Sequence, residues 1–519
     1  MAPPFEAHLV RTVSGRHVGV RRGGEGPPVA LLHESPRSSA ALLPLVERLA
    51  ARFTVYAFDN PGFGLSDELP SLRPAAECFA DALIESFDAL GLRRVPVYGT
   101  HTGAVIAMAA GIRHPDRISA LALDGYPVFS EAEQEELLAS YLAPITPAWD
   151  GTHLAWLWGR VKDQFTFFPW NRRGRAARIP RPLASLDTMQ AVVVDFLMAG
   201  DRYRAAYASA FRYEPVGPAR QVTVPTAFLC RSDDLLFSHL DRLPPLAEAA
   251  RVVRLGPDRQ VWADAVGDAL AVGASGTAPP VPALPLGPGR ALRRAGEVVV
   301  ATRTAAAPQG ADRPALVVLP DIPGAAAALD DLARALASVM GRPVTVIDLP
   351  GFGASRAPGA ASPDDLAAAI RGALDLGDVD VVATGASAAI GAALGRRTVA
   401  IDPVPDQFRG SWLANHADIT PRLDGAHLLA AWHQLRDTEI WRPWFDRRPE
   451  TARDVGTDPD PARLQAVLAA WMMGGDGPSR ATLAAALSEP LPADRVRVAA
   501  ADADPWRQAE AVAAAFGPE

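Results

Sequence analysis

The feature that most constrains this chain is that it repeats itself. Around Asp150 the sequence reads DGTHLAWLWGRVKDQFTFFPW, and around Asp424 it reads DGAHLLAAWHQLRDTEIWRPW. Gly151, Asp163 and Pro169 fall on Gly425, Asp437 and Pro443 at one offset, since 425 − 151, 437 − 163 and 443 − 169 all equal 274. Upstream, DNPGFGLS (Asp59 to Ser66) falls on DLPGFGAS (Asp348 to Ser355) at an offset of 289. Two such blocks in the same order imply duplication of a whole domain, not a short-period solenoid. A length of 519 residues, beyond one ordinary domain, fits that reading. We expect a first domain over residues 1–275, a linker rich in Gly, Pro and Ala over 276–295, and a second, shortened domain over 296–519.

Within each copy, short apolar runs alternate with helical patterns. Val29–Leu32, Thr54–Phe58, Val95–Tyr98, Ala120–Leu123 and Thr226–Cys230 read as strands of the first copy. Ala315–Leu319, Val344–Ile347 and Val379–Ala383 follow in the second. Continuous apolar runs of this length suit strands buried on both faces, hence a mostly parallel sheet flanked by helices. The long helical stretch between Asp124 and Thr226 is too long for a loop and is expected to form a cap inserted over the sheet, at about 127–220, with a second at about 405–485. Sites in such sheets form at the C-terminal strand ends.

Composition excludes several partners. The net charge is −8, and Lys162 is the only lysine. No basic stripe exists for a phosphate backbone, so nucleic acid is not an expected partner. Two cysteines, Cys78 and Cys230, make neither a disulfide framework nor a four-thiolate site. No cluster has metal-ligand spacing and no glycine-rich phosphate loop stands out, so neither metal nor cofactor is expected. The first residues lack a basic segment followed by an apolar run, and charge interrupts the Ala-rich stretches. The expectation is a cytoplasmic protein with no membrane partner and a small-molecule substrate.

Three motifs in order carry a family resemblance. Leu32-His33-Glu34 follows the first parallel strand, Asp59–Ser66 follows the next, and Gly99-Thr100-His101-Thr102-Gly103 stands at a strand-to-helix junction. Together they resemble the α/β-hydrolase superfamily, and the fold expected is two tandem α/β-hydrolase folds, docked as an intramolecular pseudo-dimer with a homodimer as a further option. The last motif has the glycine spacing of the G-x-S-x-G elbow, which aims its central side chain into the cleft. The resemblance implies an oxyanion hole from the amides of Thr102 and of Glu34 or Ser35. It also implies an acid after the strand ending at Cys230, where Asp234 is the better choice of the Asp233-Asp234 pair.

The departures from the family pattern shape the functional reading. His101 takes the place of the nucleophilic serine, and imidazole serves as base, acid or nucleophile near neutral pH. No histidine lies between His239 and His416, so the family's usual general base is missing. In the second copy Ser387 is taken as the elbow residue (387 − 101 = 286), with Asp502 or Asp504 as the matching acid. His33 becomes Pro320 there, little chain remains after the acid for a histidine, and the copy is read as a degenerate scaffold. His33 is a catalytic candidate, although holding the oxyanion loop is the plainer role for it. Arg37 is a candidate for gripping an anionic substrate group. Trp156 and Lys162, which do not repeat, are candidates for lining the pocket. His153, Trp158, Asp163 and Trp170 do repeat and are read as packing. The leading expectation is an enzyme acting on a small carbonyl or ester in the first domain without a Ser-His-Asp triad. A non-hydrolytic lyase, isomerase or cyclase, or an inactive binding protein, is the alternative.

Overall fold

The computed structural model describes residues 5–308, 314–453, 458–492 and 494–517. They divide into two compact units, Met1–Thr146 with Gly159–Ala283, and Pro147–Trp158 with Leu284–Glu519.

The first unit is built on an eight-stranded sheet in the order β1-β2-β4-β3-β5-β6-β7-β8. Its strands are β1 (Glu6–Arg11), β2 (His17–Gly23), β3 (Pro28–Leu32), β4 (Thr54–Phe58), β5 (Val95–Thr100), β6 (Ile118–Asp124), β7 (Thr226–Arg231) and β8 (Ala250–Leu255). β1 and β2 form an antiparallel hairpin against β4, and every pairing from β4 through β8 is parallel. The apolar runs anticipated for β3, β4 and β7 are buried at every position, as two-sided helical cover requires. One face packs on helices Leu43–Leu49 and Arg259–Ala271 through Val46, Leu49, Val266 and Leu270. β8, at one edge, has no fully buried residue and exposes Arg251 and Arg254; charge there discourages pairing with another sheet.

The second unit has a seven-stranded sheet among the described residues, in the order β9-β10-β12-β11-β13-β14-β15. The strands are β9 (Gly289–Ala295), β10 (Val298–Ala305), β11 (Leu316–Leu319), β12 (Val344–Ile347), β13 (Asp380–Thr384), β14 (Arg397–Ile401) and β15 (Val496–Ala499). This order matches the first seven strands of the other sheet. β9 pairs antiparallel with β10 through the turn at Gly296, so the expected linker of 276–295 is partly strand.

Helices fill the chain between β6 and β7, and between β14 and β15. The repeated residues there are buried: Trp158, Trp432, Trp170, Trp444, His153 and His427 are each at most 7% exposed. Within the second unit the Trp158 indole donates to Leu423 O and the Trp432 indole to Trp149 O, both at 2.9 Å. The His153 ring stands edge-on to Trp432 and the His427 ring edge-on to Trp158. These residues pack, as their repetition suggests. No helix among the described residues is long and apolar enough to cross a membrane.

Candidate active site

The elbow of the first unit forms where β5 turns into helix Thr102–Arg113. His101 sits at the turn with φ 48° and ψ −110°, a conformation that costs a non-glycine residue about 1–3 kcal/mol and concentrates at functional positions. The flanking glycines are steric requirements. A Cβ on Gly99 would lie 2.2 Å from Gly103 O, and one on Gly103 would lie 2.4 Å from Leu32 O. The first turn of the helix is thereby pressed against the strand end that carries His33 and Glu34.

From this bend the imidazole reaches Asp234 directly. His101 Nε2 lies 3.0 Å from Oδ1 and 3.1 Å from Oδ2 of Asp234. The Leu236 N–H donates to the same carboxylate at 2.9 Å. Asp234 stands just beyond β7, where a parallel sheet offers its strand ends. The ring lies over the Gly125 backbone, so closely that a Cβ there would be 2.5 Å from His101 Cδ2. His101 Nδ1 meets no hydrogen-bonding partner among the described residues, and 32% of the side chain is exposed. An elbow serine is too short to reach the acid and needs a separate histidine as a bridge. Here one side chain spans that gap and still presents a free ring nitrogen.

The electrostatics decide the charge. Burial works against the imidazolium, but the Asp234 carboxylate, with help from Glu34 and Asp124, overrides it and lifts the His101 pKa to about 9. Asp234 is held well below the usual carboxylate range despite burial, chiefly by His101 and also by the Leu236 amide and Arg231. At neutral pH the pair is therefore imidazolium and carboxylate. Nε2–H faces Asp234, and Nδ1–H is a proton donor on the accessible side. Of the three roles the sequence leaves open for His101, an imidazolium suits that of acid, because it has no lone pair to offer as base or nucleophile.

A second acid lies beneath. Asp124 ends β6 and accepts from Tyr98 Oη (2.9 Å) and Trp262 Nε1 (2.8 Å). Burial raises its pKa. The Arg231 guanidinium sits 4.8 Å from the centre of the Trp262 ring. Tyr98, Trp262 and Gly125 were not singled out from the sequence. Only an aromatic in the helix after β8 hinted at Trp262, and nothing local shows that it turns back to β6. The loop after β8 holds no substitute for the missing histidine: Asp258 there caps helix Arg259–Ala271 by accepting from Gln260 and Val261.

The other candidates fall out as follows. His33 is fully buried, accepts at Nε2 from the Asn60 N–H and donates from Nδ1 to Glu34 O, both at 2.9 Å. Both nitrogens are spent on backbone, so His33 holds the loop. Glu34 is half-buried, and its charge acts on His101. The Thr102 amide begins its helix and has no partner within it. Arg37 does not wait for a substrate anion: its Nε donates to Asp195 Oδ2 at 2.8 Å and ties the β3 loop to helix Leu186–Ala199. Trp156 is 37% exposed and Lys162 half-buried.

Ser387 does not stand where His101 does. β5 ends at Thr100 and β13 at Thr384, and the left-handed residue that follows is His101 in one case and Gly385 (φ 57°) in the other. The offset is thus 385 − 101 = 284, two residues short of the sequence alignment. Ser387 is fully buried and donates to Thr384 O at 2.8 Å. In the same way Asp402 (φ 49°) follows β14 where Gly125 (φ 62°) follows β6. Asp504 caps the helix Pro505–Phe516. What remains around Gly385 is a cavity of about 790 Å³.

Comparison with known proteins bears on the fold of the first unit. The α/β hydrolase fold family matches residues 27–257. Pimeloyl-(acyl-carrier protein) methyl ester esterase of Chromobacterium violaceum is 37% identical over 100 residues, 19% of this chain and 37% of the relative. The 2-(acetamidomethylene)succinate hydrolase of Mesorhizobium japonicum is 30% identical over 121 residues, 23% and 43% of the two chains. This chain thus spans less than half the length of these curated relatives. Among solved structures, epoxide hydrolase A of Mycobacterium thermoresistibile aligns with 52% of this chain and 99% of its own at 18% identity and a TM-score of 0.42. The family match, the parallel sheet order and the elbow after β5 together identify residues 27–257 as an α/β-hydrolase fold.

Proposed function

We propose that the chain is a tandem duplication of this fold and that the first unit is an enzyme acting on a small organic carbonyl or ester. The observation that carries the reading is the His101–Asp234 pair at 3.0 Å, on a strained turn, with Nδ1 unpartnered. His101 delivers its Nδ1 proton to the carbonyl or leaving oxygen, Asp234 retains Nε2–H, and the Thr102 and Glu34 amides stabilise the oxyanion. Water is the nucleophile in the hydrolytic case. The ester and succinate-derivative substrates in the relatives' names fit a carbonyl target. The protonated ring also favours a second reading, an elimination or isomerisation driven by proton transfer without water attack, since the first-unit elbow supplies no serine.

The test is kcat/KM against pH on a panel of small esters and β-hydroxy carbonyl compounds, with product formed in ¹⁸O-water. We expect a plateau at neutral pH, a fall above about pH 9 as His101 loses its proton, and loss of turnover in His101→Ala. Oxygen-18 in the product selects hydrolysis. A rate that climbs through pH 9, or full turnover in His101→Ala, rejects the assignment.

A further inference from the structure

The second unit keeps a cavity where its elbow has lost its side chain. The cavity lies at the C-terminal ends of β11, β13 and β14, lined by Asp321, Gly385 and Asp402 there and by Arg442, Arg453 and Trp412 from the helical segment. Its volume of about 790 Å³ is that of a small-molecule site.

The lining is charged in an ordered way. Arg442 Nη1 lies 3.0 Å from Asp321 Oδ2, and Arg442 Nε lies 3.1 Å from Asp402 Oδ2. Arg453 Nη1 donates to the same Asp402 oxygen at 2.8 Å, and Arg463 Nη2 donates to Glu439 Oε2 at 2.6 Å. On the duplication reading, 439 − 165, 442 − 168 and 453 − 179 all equal 274, so Glu439, Arg442 and Arg453 replace Phe165, Phe168 and Ile179. The isolated bridges Phe167↔Arg178 and Trp441↔Ala452 fix that register. Three apolar positions have become charged together, and a carboxylate has appeared at Asp402 in place of Gly125. Each charge costs desolvation that a mere scaffold has no reason to bear.

We propose that this cavity is a binding site, without turnover, for a small organic ammonium compound that also carries an oxygen acceptor. The sign of the guest follows from the surplus: among the described residues seven carboxylates and three arginines line the cavity, and with Arg334 on Asp331 and Arg507 on Asp502 counted too the carboxylates still exceed the guanidiniums by two. A bare metal ion is the poorer guest, because among the described residues no three His, Cys, Asp or Glu side chains converge as a cage. The acceptor answers Trp412, which is 1% exposed and whose indole N–H has no partner. Gly385 leaves the floor open to the Asp321 carboxylate, which sits 2.0 Å from where a Cβ would be.

The experiment is isothermal titration of the full chain with 6-aminohexanol, 1,6-hexanediol and hexanoate. The amine is expected to bind, more weakly at high salt, with the diol and the acid at least about tenfold weaker. Asp402→Asn is expected to lose about tenfold or more in affinity. Should that variant unfold, Asp458→Asn, an exposed carboxylate on the lining, is expected to weaken the amine by a few fold. His101→Ala is expected to leave binding unchanged, which separates this site from the proposed catalysis. Hexanoate binding better than the amine, equal binding of all three, no binding of any at millimolar concentration, or no weakening in folded Asp402→Asn and Asp458→Asn overturns the proposal.

Discussion

Replacing Asp234 by Asn removes the charge that sets the state of His101 while keeping the size of its partner. With the pKa at about 9, roughly 97% of the ring is imidazolium at pH 7.5. Without the carboxylate the main upward pull is gone, burial lowers the value, and the protonated fraction at that pH falls. The same change has a stability cost. Lifting the imidazole from 6.5 to about 9 is worth at most about 3 kcal/mol. With 32% of the side chain exposed, screening reduces this to about 1–2 kcal/mol. His101 has a raised folded value, so its contribution is complete below pH 6.5 and is lost as pH rises through about 9. Asp234 has a depressed one, so its contribution is present above its ordinary 3.8 and is lost as pH falls. The pair therefore stabilises most between about pH 4 and 6.5. The assay is NMR titration of the His101 ring in wild type and Asp234→Asn, with urea melts at pH 6 and 10. A wild-type ring titrating at or below 6.5, or an unchanged ring in the variant, would refute the argument.

Three further outcomes follow from other contacts. Gly125→Ala should displace the His101 ring and strain a left-handed position, lowering stability by about 1–3 kcal/mol and moving the ring's titration toward 6.5; an unaltered titration would contradict the close approach. Arg37→Met should leave Asp195 buried and unpaired at a cost of about 3–5 kcal/mol, and adding Asp195→Asn should recover part of it in a double-mutant cycle. A serine-reactive phosphonate should not label Ser387, whose hydroxyl is bonded to backbone; mass-spectrometric detection of that adduct would return the elbow of the second unit to position 387.

The sheets and the elbow were legible because they are local. Runs such as Val29–Leu32 and Thr54–Phe58 are apolar on both faces, and that pattern requires cover on both sides. The spacing from Gly99 to Gly103 is a steric consequence of one sharp bend, so His101 could be placed on it from the sequence. Asp234 was reachable in the same way, as the residue beyond β7. The sequence alone thus determined the fold of the first unit and the two side chains that meet over it. Only the tertiary structure decided their charge and the use of their neighbours. A pKa depends on what surrounds a group in space, and Glu34, Asp124 and Asp234 converge on His101 from three separate strand ends. His33 and Arg37 looked available because their partners, Asn60 and Asp195, are distant in the chain. Ser387 drew attention because G-x-S-x-A imitates the motif, whereas the positive-φ residue that follows β13 is Gly385. Motif spacing reports what a backbone permits, and the register of the sheet decides which residue stands at the turn.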